Sequence, residues 1–145
     1  MEKNFVCKHC GLEVKVTPFI GTNYRNHCPF CLWSTHVDWK HAQDRQAKCG
    51  EKMEPIGLTF KDEKPDKYGK PVPGELMVIH KCLSCGKISI NRIAADDETG
   101  EILDLFEKTL KISAELLAEL NQQSIRPLTK KDKNEVRKQL FGVAD

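Results

Sequence analysis

The stretch Arg25-Asn26-His27-Cys28-Pro29-Phe30-Cys31 places three polar side chains directly before a Cys-x-x-Cys pair. A structural zinc site needs four deprotonated sulfur or nitrogen ligands in a tetrahedron. It does not need Arg, Asn and His immediately before its third thiolate. The stretch therefore predicts a metal-ligand turn, and it also predicts further polar chemistry beside that turn.

Seven cysteines surround this turn, and six of them form Cys-x-x-Cys pairs: Cys7/Cys10, Cys28/Cys31 and Cys82/Cys85. The N-terminus has no apolar segment of the secretory type, so paired cysteines are more typical of metal ligands than of disulfides. Seventeen residues separate Cys10 from Cys28, which is enough for a hairpin and a loop. We therefore expect two Zn²⁺ ions. The first is bound by Cys7, Cys10, Cys28 and Cys31 in a closed zinc ribbon.

The second metal site has an incomplete ligand set in the sequence. Cys49, Cys82 and Cys85 supply three thiolates, and a closed tetrahedral site needs a fourth ligand. His80 shares a predicted strand face with Cys82, whereas His36 would arrive from an opposite strand. We prefer His80 over His36. A three-thiolate site with an open position is the remaining alternative.

Local patterns predict a small zinc-stabilised β fold with a C-terminal helical part, α+β overall. Residues 12–16, 56–60, 75–82 and 87–93 read as strands, and the Pro- and charge-rich residues 61–74 read as an exposed excursion between two of them. From about residue 101 apolar residues recur at helical spacing, and a capping-box pattern at 129–132 begins a helix that ends at Gly142. We expect two linked zinc-ribbon-like modules in residues 1–100 and a helical extension in residues 101–145. The extension is expected to pack on the ribbon or on a protein partner.

Charge and hydropathy limit the partners. There are 23 Lys and Arg against 21 Asp and Glu, the net charge is +2 and the mean hydropathy is −0.50. No basic block predicts nucleic-acid binding by charge alone, so a polyanion would need a local patch. No apolar run approaches the ~20 residues of a membrane span. We therefore expect a cytoplasmic protein without a membrane partner.

Polar residues cluster in sequence around the two ligand sets, and they have two interpretations. Most of them would hydrogen-bond metal ligands or pair with one another in a small core. Alternatively, they form the wall of a shared binding site. The candidates are Arg25, Asn26, His27, Asp38, Asp44, Arg45, Asn91 and Arg92.

The chain resembles the RNHCP-domain proteins, a family named for the string at residues 25–29. Further strings that resemble the family, in the same order, are Cys28 to Ser34, His36-Val37-Asp38, Asp44-Arg45, Cys49-Gly50, Met53 to Ile56, Asn91 to Ala94 and Asp96-Asp97. The resemblance covers residues 5–98 and implies a small bacterial zinc-binding domain of no particular established activity. It also implies that His36, Asp38, Asp44, Arg45, Asn91 and Arg92 share one site.

Two functions remain open at this point. The first is a non-enzymatic binding module for RNA, a ribonucleoprotein or a protein partner, with phosphate contacts and base stacking from Arg25, Lys40, Arg45, Trp33 and Trp39. The alternative is a zinc-dependent hydrolase that uses an open second site with His36 and Asp38.

Overall fold

The computed structural model describes residues 4–15, 27–36, 49–61, 64–65, 67–69, 71–72, 74–94 and 96–142. In chain order the strands are β1 (Phe5–Val6), β2 (Glu13–Val14), β3 (Ser34–Thr35), β4 (Lys52–Lys61), β5 (Lys64–Pro65), β6 (Pro71–Val72), β7 (Glu75–Cys82) and β8 (Ile88–Arg92). The α-helices are α1 (Thr99–Thr109), α2 (Ala114–Gln122) and α3 (Lys133–Phe141).

A four-stranded antiparallel sheet with the order β3-β4-β7-β8 forms the centre of the described structure. β4 pairs with β7 from Met53 opposite Cys82 to Lys61 opposite Glu75. β8 returns along the other side of β7, with Lys81 opposite Ile88. This register brings the end of β7 and the start of β4 together, which is where the cysteines of the second predicted site lie.

Helices cover both faces of this sheet because its central strands are apolar on both sides. Val78 faces the core of α1 and α3, and the next residue, Ile79, faces the core that includes Leu120 of α2. The first core contains Leu32, Leu58, Phe60, Leu76, Val78, Ile102, Leu105, Phe106, Leu128 and Val136. Residues on both sides of the predicted boundary at residue 100 therefore belong to one core.

The C-terminal part contains one more helix break than the sequence pattern suggested. The helical pattern that begins near residue 101 divides into α1 and α2, because Ser113 caps a new helix by accepting a hydrogen bond from the Leu116 N–H. The capping box at Thr129 and Asp132 is confirmed, with a short 3-10 turn before α3. The predicted end at Gly142 is also confirmed, since this residue has φ of 80°.

The excursion after β4 is more regular than expected. Lys64–Pro65 pairs with Pro71–Val72 as a short two-stranded hairpin, whereas the sequence predicted only an exposed excursion at residues 61–74. This hairpin lies between β4 and β7 in the chain.

The outer edge of β4 is covered by the segment before α3. Thr59 and Pro127 form an isolated antiparallel bridge, and the Leu128 N–H donates to the Leu58 carbonyl over 3.1 Å. The side chain of Leu128 is buried in the first core. No described helix combines the length and the apolar character that crossing a membrane requires.

Candidate metal centres

The first cysteine cluster has the separations of a tetrahedral thiolate site. The Cys7 and Cys31 sulfurs lie 3.7 Å apart, and the Cys10 and Cys28 sulfurs 3.6 Å apart. Two Zn–S bonds of about 2.3 Å at the tetrahedral angle would place their sulfurs about 3.8 Å apart. A disulfide needs only about 2.05 Å. The four residues therefore fit a metal ion, and the spacing is too long for disulfides.

Each of the three Cys-x-x-Cys turns has the same backbone geometry, here called a knuckle. In the first, the Cys7 N–H donates to the Leu12 carbonyl and the Gly11 N–H returns to the Cys7 carbonyl, both over 2.9 Å. The turns at Cys28 and Cys82 repeat both hydrogen bonds. The residue after the second cysteine has a positive φ in each knuckle: Gly11, Leu32 and Gly86. This geometry leaves backbone N–H groups facing the sulfurs, as with Phe30 N–H and the Cys28 sulfur at 3.4 Å.

The second cluster contains His36 with Cys49, Cys82 and Cys85. The Cys49 and Cys82 sulfurs are 3.6 Å apart, and the His36 Nδ1 atom lies 3.3 Å from the Cys85 sulfur. For one Zn–S and one Zn–N bond, the expected separation is about 3.5 Å. The preference for His80 as the fourth ligand was therefore wrong, and the alternative that named His36 has the correct geometry.

His36 and Cys49 form a fourth knuckle with a long insertion. The His36 N–H donates to the Glu51 carbonyl over 2.9 Å, and the Gly50 N–H returns to the His36 carbonyl over 3.0 Å. Gly50 has φ of 64°, as the residue after the second ligand should. His36 thus occupies the place of a first knuckle cysteine. Twelve residues, 37–48, replace the usual two between the ligands.

His80 has a structural role instead. Its Nε2–H donates to the Leu32 carbonyl over 2.6 Å, and its Nδ1 accepts from the Asn91 amide over 2.7 Å. Complete burial lowers the pKa of His80 to about 3, so the ring stays neutral. The predicted strand-face relation between His80 and Cys82 is correct. However, both ring nitrogens are occupied by hydrogen bonds, one to Asn91 of β8 and one to Leu32 of the second knuckle.

The thiol acidities differ from cysteine to cysteine, and each cluster contains a thiol with a raised pKa and one with a lowered pKa. Burial raises the pKa of Cys28 to about 11, so at neutral pH a bound cation must displace this proton. Burial also opposes ionisation of Cys82, but the Cys85 and Ser84 N–H groups outweigh it and lower the pKa of Cys82 to about 6. Both donor sets are thiolate-rich, which is the chemistry that Zn²⁺ prefers in structural sites.

His27 joins the first cluster to the start of α1 through a buried hydrogen bond. Its Nε2 atom lies 2.8 Å from the Asp97 Oδ2 atom, which also accepts the Ala94 N–H over 2.8 Å. Next to this pair, the Glu98 N–H donates to the Pro29 carbonyl over 2.9 Å. The position of His27 before Cys28 is thus explained by packing of this knuckle on the helical part. Asp97 was part of a recognised string, but its pairing with His27 could not be read from residues 70 positions apart.

The remaining predicted binding residues are only partly described. Asn91 hydrogen-bonds His80, and Arg92 pairs with Glu75 over 2.9 Å at the surface. These contacts are structural, and within the described residues they do not bring Asn91 and Arg92 to one open site with His36. The other five candidates lie outside the described residues: Arg25, Asn26, Asp38, Asp44 and Arg45.

The four-ligand geometry bears on catalysis. A zinc ion that activates water keeps one coordination position free of protein ligands. Both described clusters offer four ligand atoms within 4.8 Å of one another. The hydrolase alternative needs an open position at the second site, and four candidate ligand atoms are enough to fill a tetrahedral one.

An aromatic and basic surface lies beside the first cluster. The His9 ring stacks on Trp33 with 3.8 Å between centroids and an interplanar angle of 4°. The Lys52 ammonium lies 5.5 Å from the centre of the Trp33 ring, and the Lys8 ammonium donates to the Gly50 carbonyl. We call Lys8, His9, Trp33 and Lys52 the knuckle face. His9 is exposed, and nothing in the sequence predicted its stack on Trp33.

Comparison with known proteins gives one match. A family model described as the RNHCP domain matches residues 2–103. No curated protein and no solved structure matches the chain. The match supports the resemblance noted in the sequence. The match and the two ligand clusters together support a zinc-binding module. The geometry of the clusters is compatible with two Zn²⁺ ions.

Proposed function

We propose that this chain, which belongs to the RNHCP domain family, is a non-enzymatic zinc module. Its knuckle face would bind single-stranded RNA. The observation that carries the proposal is the exposed His9–Trp33 stack with lysines beside it. Closed four-ligand zinc sites give rigidity rather than chemistry, and rigid turns are suited to holding such a surface in place.

Base stacking would use the outer face of His9. Its inner face lies on Trp33, and the residue as a whole is exposed. Unpaired bases stack on aromatic and histidine rings, and each stack contributes about 1–3 kcal/mol by alanine substitution. A base on His9 would extend the two-ring stack to three. Since every base has a π-face, this contact favours single strands without demanding a sequence.

Lys8 and Lys52 would supply the phosphate contacts. Lys52 lies against Trp33, and Lys8 directly precedes His9 with its ammonium at the Gly50 carbonyl. A strand that places a base on His9 would bring phosphates near these ammonium groups. A cavity of about 210 Å³ next to Trp33 is lined by three acids, Glu54, Glu101 and Asp104, against one cation, Lys108, so its net negative charge would repel phosphates. The strand is therefore expected to pass over His9 and not into this cavity. Arg25 and Arg45 remain predicted phosphate contacts outside the described residues.

The test is fluorescence anisotropy with a labelled single-stranded RNA of about 12 nucleotides in low salt. His9→Ala should weaken binding about 5- to 150-fold, because one stack is lost. The matched control is Ser84→Ala, which changes the same position of the third knuckle and should leave the affinity within twofold. Lys52→Ala should reduce the salt slope by about 0.7, since one phosphate contact is lost. Lys61→Ala, at the other end of β4, should not change it.

A protein partner is the second candidate, because apolar side chains are exposed on and beside the knuckles. Val6, Leu12, Phe30 and Leu83 are between 46% and 63% exposed. On the helices, Leu117 and Phe141 are also exposed, although the other faces of these helices pack on the sheet. Absence of RNA binding, or RNA binding that is unchanged in His9→Ala, would contradict the RNA proposal and leave this candidate.

A further inference from the structure

We infer that a metal ion in the first cluster switches the knuckle face by docking the N-terminal hairpin, residues 4–15, on a body that stays folded without it. The body comprises the remaining described residues. This regulation rests on the RNA binding proposed above, because it concerns the same surface. It concerns a contact within the chain, however, so it can be measured whether or not RNA binds.

The N-terminal hairpin has little core of its own. Its strands are two residues each, with Phe5 opposite Val14 and Val6 opposite Glu13. Val14 is buried, but Val6 and Leu12 are exposed. An isolated two-stranded hairpin is at best marginally stable in water. The hairpin therefore depends on what it docks against.

The docking surface consists mainly of metal ligands. The small cluster around Val14 contains Cys7 and Cys28, with Phe5 and Cys31 at its edge. Each hairpin cysteine faces a cysteine of the body at 3.6–3.7 Å, the distance that a shared metal ion imposes. Without a cation, four thiol groups at this distance have no strong attraction for one another. The hairpin also contacts the body through the His9–Trp33 stack and the Lys8–Gly50 hydrogen bond, both at the surface. The metal, which would bind all four cysteines, is thus its main attachment.

The other half of the first site is attached to the body without metal. The second knuckle is held by the His27–Asp97 pair and by the hydrogen bond from Glu98 to the Pro29 carbonyl. Leu32, directly after it, is 1% exposed in the first core. The ligands Cys28 and Cys31, and Trp33 beyond them, are therefore held in place whether or not the hairpin is docked.

The body has its own core and its own metal site. Ten buried residues form the first core, and the ligands of the second cluster all belong to the body. Loss of metal from the first site should therefore release the hairpin and leave the sheet and helices folded. Because Lys8 and His9 lie between Cys7 and Cys10, the release removes half of the knuckle face. Trp33 and Lys52 remain behind.

The test compares Cys10→Ser with Cys85→Ser in the full chain. Both cysteines are exposed, and each is the second ligand of its knuckle, so neither change disturbs a core. Zinc content should fall from two to one per chain in both variants. In Cys10→Ser, amide hydrogen exchange in residues 4–15 should accelerate at least tenfold, while residues 75–82 and 99–109 stay within twofold of wild type. In Cys85→Ser, residues 4–15 should remain protected.

Two results would overturn the inference. In the first, residues 4–15 stay protected from amide hydrogen exchange once the first site is empty. In the second, the hairpin, the sheet and α1 lose their protection together. The double variant Cys7→Ser/Cys10→Ser ensures an empty site if three thiolates still hold metal. RNA anisotropy then separates the two proposals. Cys10→Ser should bind RNA at least as weakly as His9→Ala does. If wild type binds no RNA while the hairpin is still released selectively, the RNA proposal fails and the metal-dependent docking stands.

Discussion

Leu32 occupies a turn position that glycine fills in the other knuckles. Its φ is 67°, against 79° at Gly11 and 78° at Gly86. For a residue with a side chain the left-handed conformation costs about 1–2 kcal/mol. Leu32 is also 1% exposed in the first core, and burying a leucine contributes about 1.5–3 kcal/mol. Burial offsets the strain, and the side chain fixes the second knuckle to the body.

Substitution of Leu32 should therefore reverse the usual order of alanine and glycine. Leu32→Ala should lower the free energy of unfolding by about 2–5 kcal/mol, because a buried side chain is lost while the strain remains. Leu32→Gly loses the same contacts but relieves the strain, so it should be at least as stable as Leu32→Ala. Urea unfolding of the zinc-loaded variants measures both values.

Leu58 is the matched control for this prediction. It is fully buried in the same core and lies in the regular strand β4. There Leu58→Gly should be less stable than Leu58→Ala by about 0.5–1 kcal/mol, the usual cost of glycine in a strand. The same order at both positions would show that the strain at Leu32 does not matter.

Single residues were predictable where spacing carried the signal. The six paired cysteines follow from their x-x spacing, and Cys49 was assigned to the second site by elimination. The choice between His80 and His36 failed because strand periodicity gives the face of a side chain but not its hydrogen bonds. A usable signal was present in Cys49-Gly50, which is the second half of a knuckle. The first ligand of this knuckle had to be a residue whose N–H donates to the Glu51 carbonyl. Only the fold identifies that residue as His36.

At the scale of elements, the geometry of the fourth knuckle indicates that metal binding does not depend on the twelve residues between its two ligands. Both ends of the insertion are fixed by the His36–Glu51 and Gly50–His36 hydrogen bonds. Coordination through Nδ1, the ring nitrogen nearer the backbone, lets histidine take the place of a short cysteine. The ligand geometry should therefore survive a return to ordinary knuckle length.

Replacement of residues 37–48 by Leu-Ser, the pair between Cys82 and Cys85, should retain both metal ions. Zinc analysis should give two ions per chain, and the cobalt-substituted protein should keep its thiolate charge-transfer bands. The control is His36→Ala with the insertion intact, which should lose or weaken the second ion. Loss of one ion in the shortened chain would mean that the insertion supports the metal site.

Elements were predictable where one local rule dominated. β7 begins and ends as expected, because its apolar run is bounded by a glycine and a ligand turn. The break between α1 and α2 was missed because the apolar spacing continues across it. The strands of the N-terminal hairpin are so short that strand propensity does not predict where they begin and end. Their ends are set by the knuckle between them, which contains Cys7 and Cys10.

On the scale of the whole molecule, the described sheet and the helices α1 and α3 share one apolar core. Of the ten residues in the first core, Ile102, Leu105, Phe106, Leu128 and Val136 come from beyond residue 100. The sequence indicated that this part is helical and amphipathic. It could not indicate which face of which strand the helices cover, since that depends on contacts between distant residues.

Truncation after residue 100 should therefore abolish the cooperative fold even with both zinc ligand sets intact. The shortened chain loses half of its first core, and each large buried side chain lost costs about 2–5 kcal/mol, more in sum than a domain of this size can spare. Thermal unfolding followed by circular dichroism should show no cooperative transition. A chain that ends at residue 142 is the control and should unfold like the full chain. A cooperative transition in residues 1–100 would support the predicted boundary there.

The bridge between Thr59 and Pro127 has a consequence for the solubility of this fold. β4 is the longest strand described, and β3 pairs only with its first two residues, Lys52 and Met53. The rest of its side away from β7 would otherwise present a row of backbone groups to other chains. Pro127 has no N–H to offer to an incoming strand, and Leu128 binds the carbonyl of Leu58. Strand addition along this edge, the usual beginning of intermolecular β aggregation, is thereby obstructed by the chain itself.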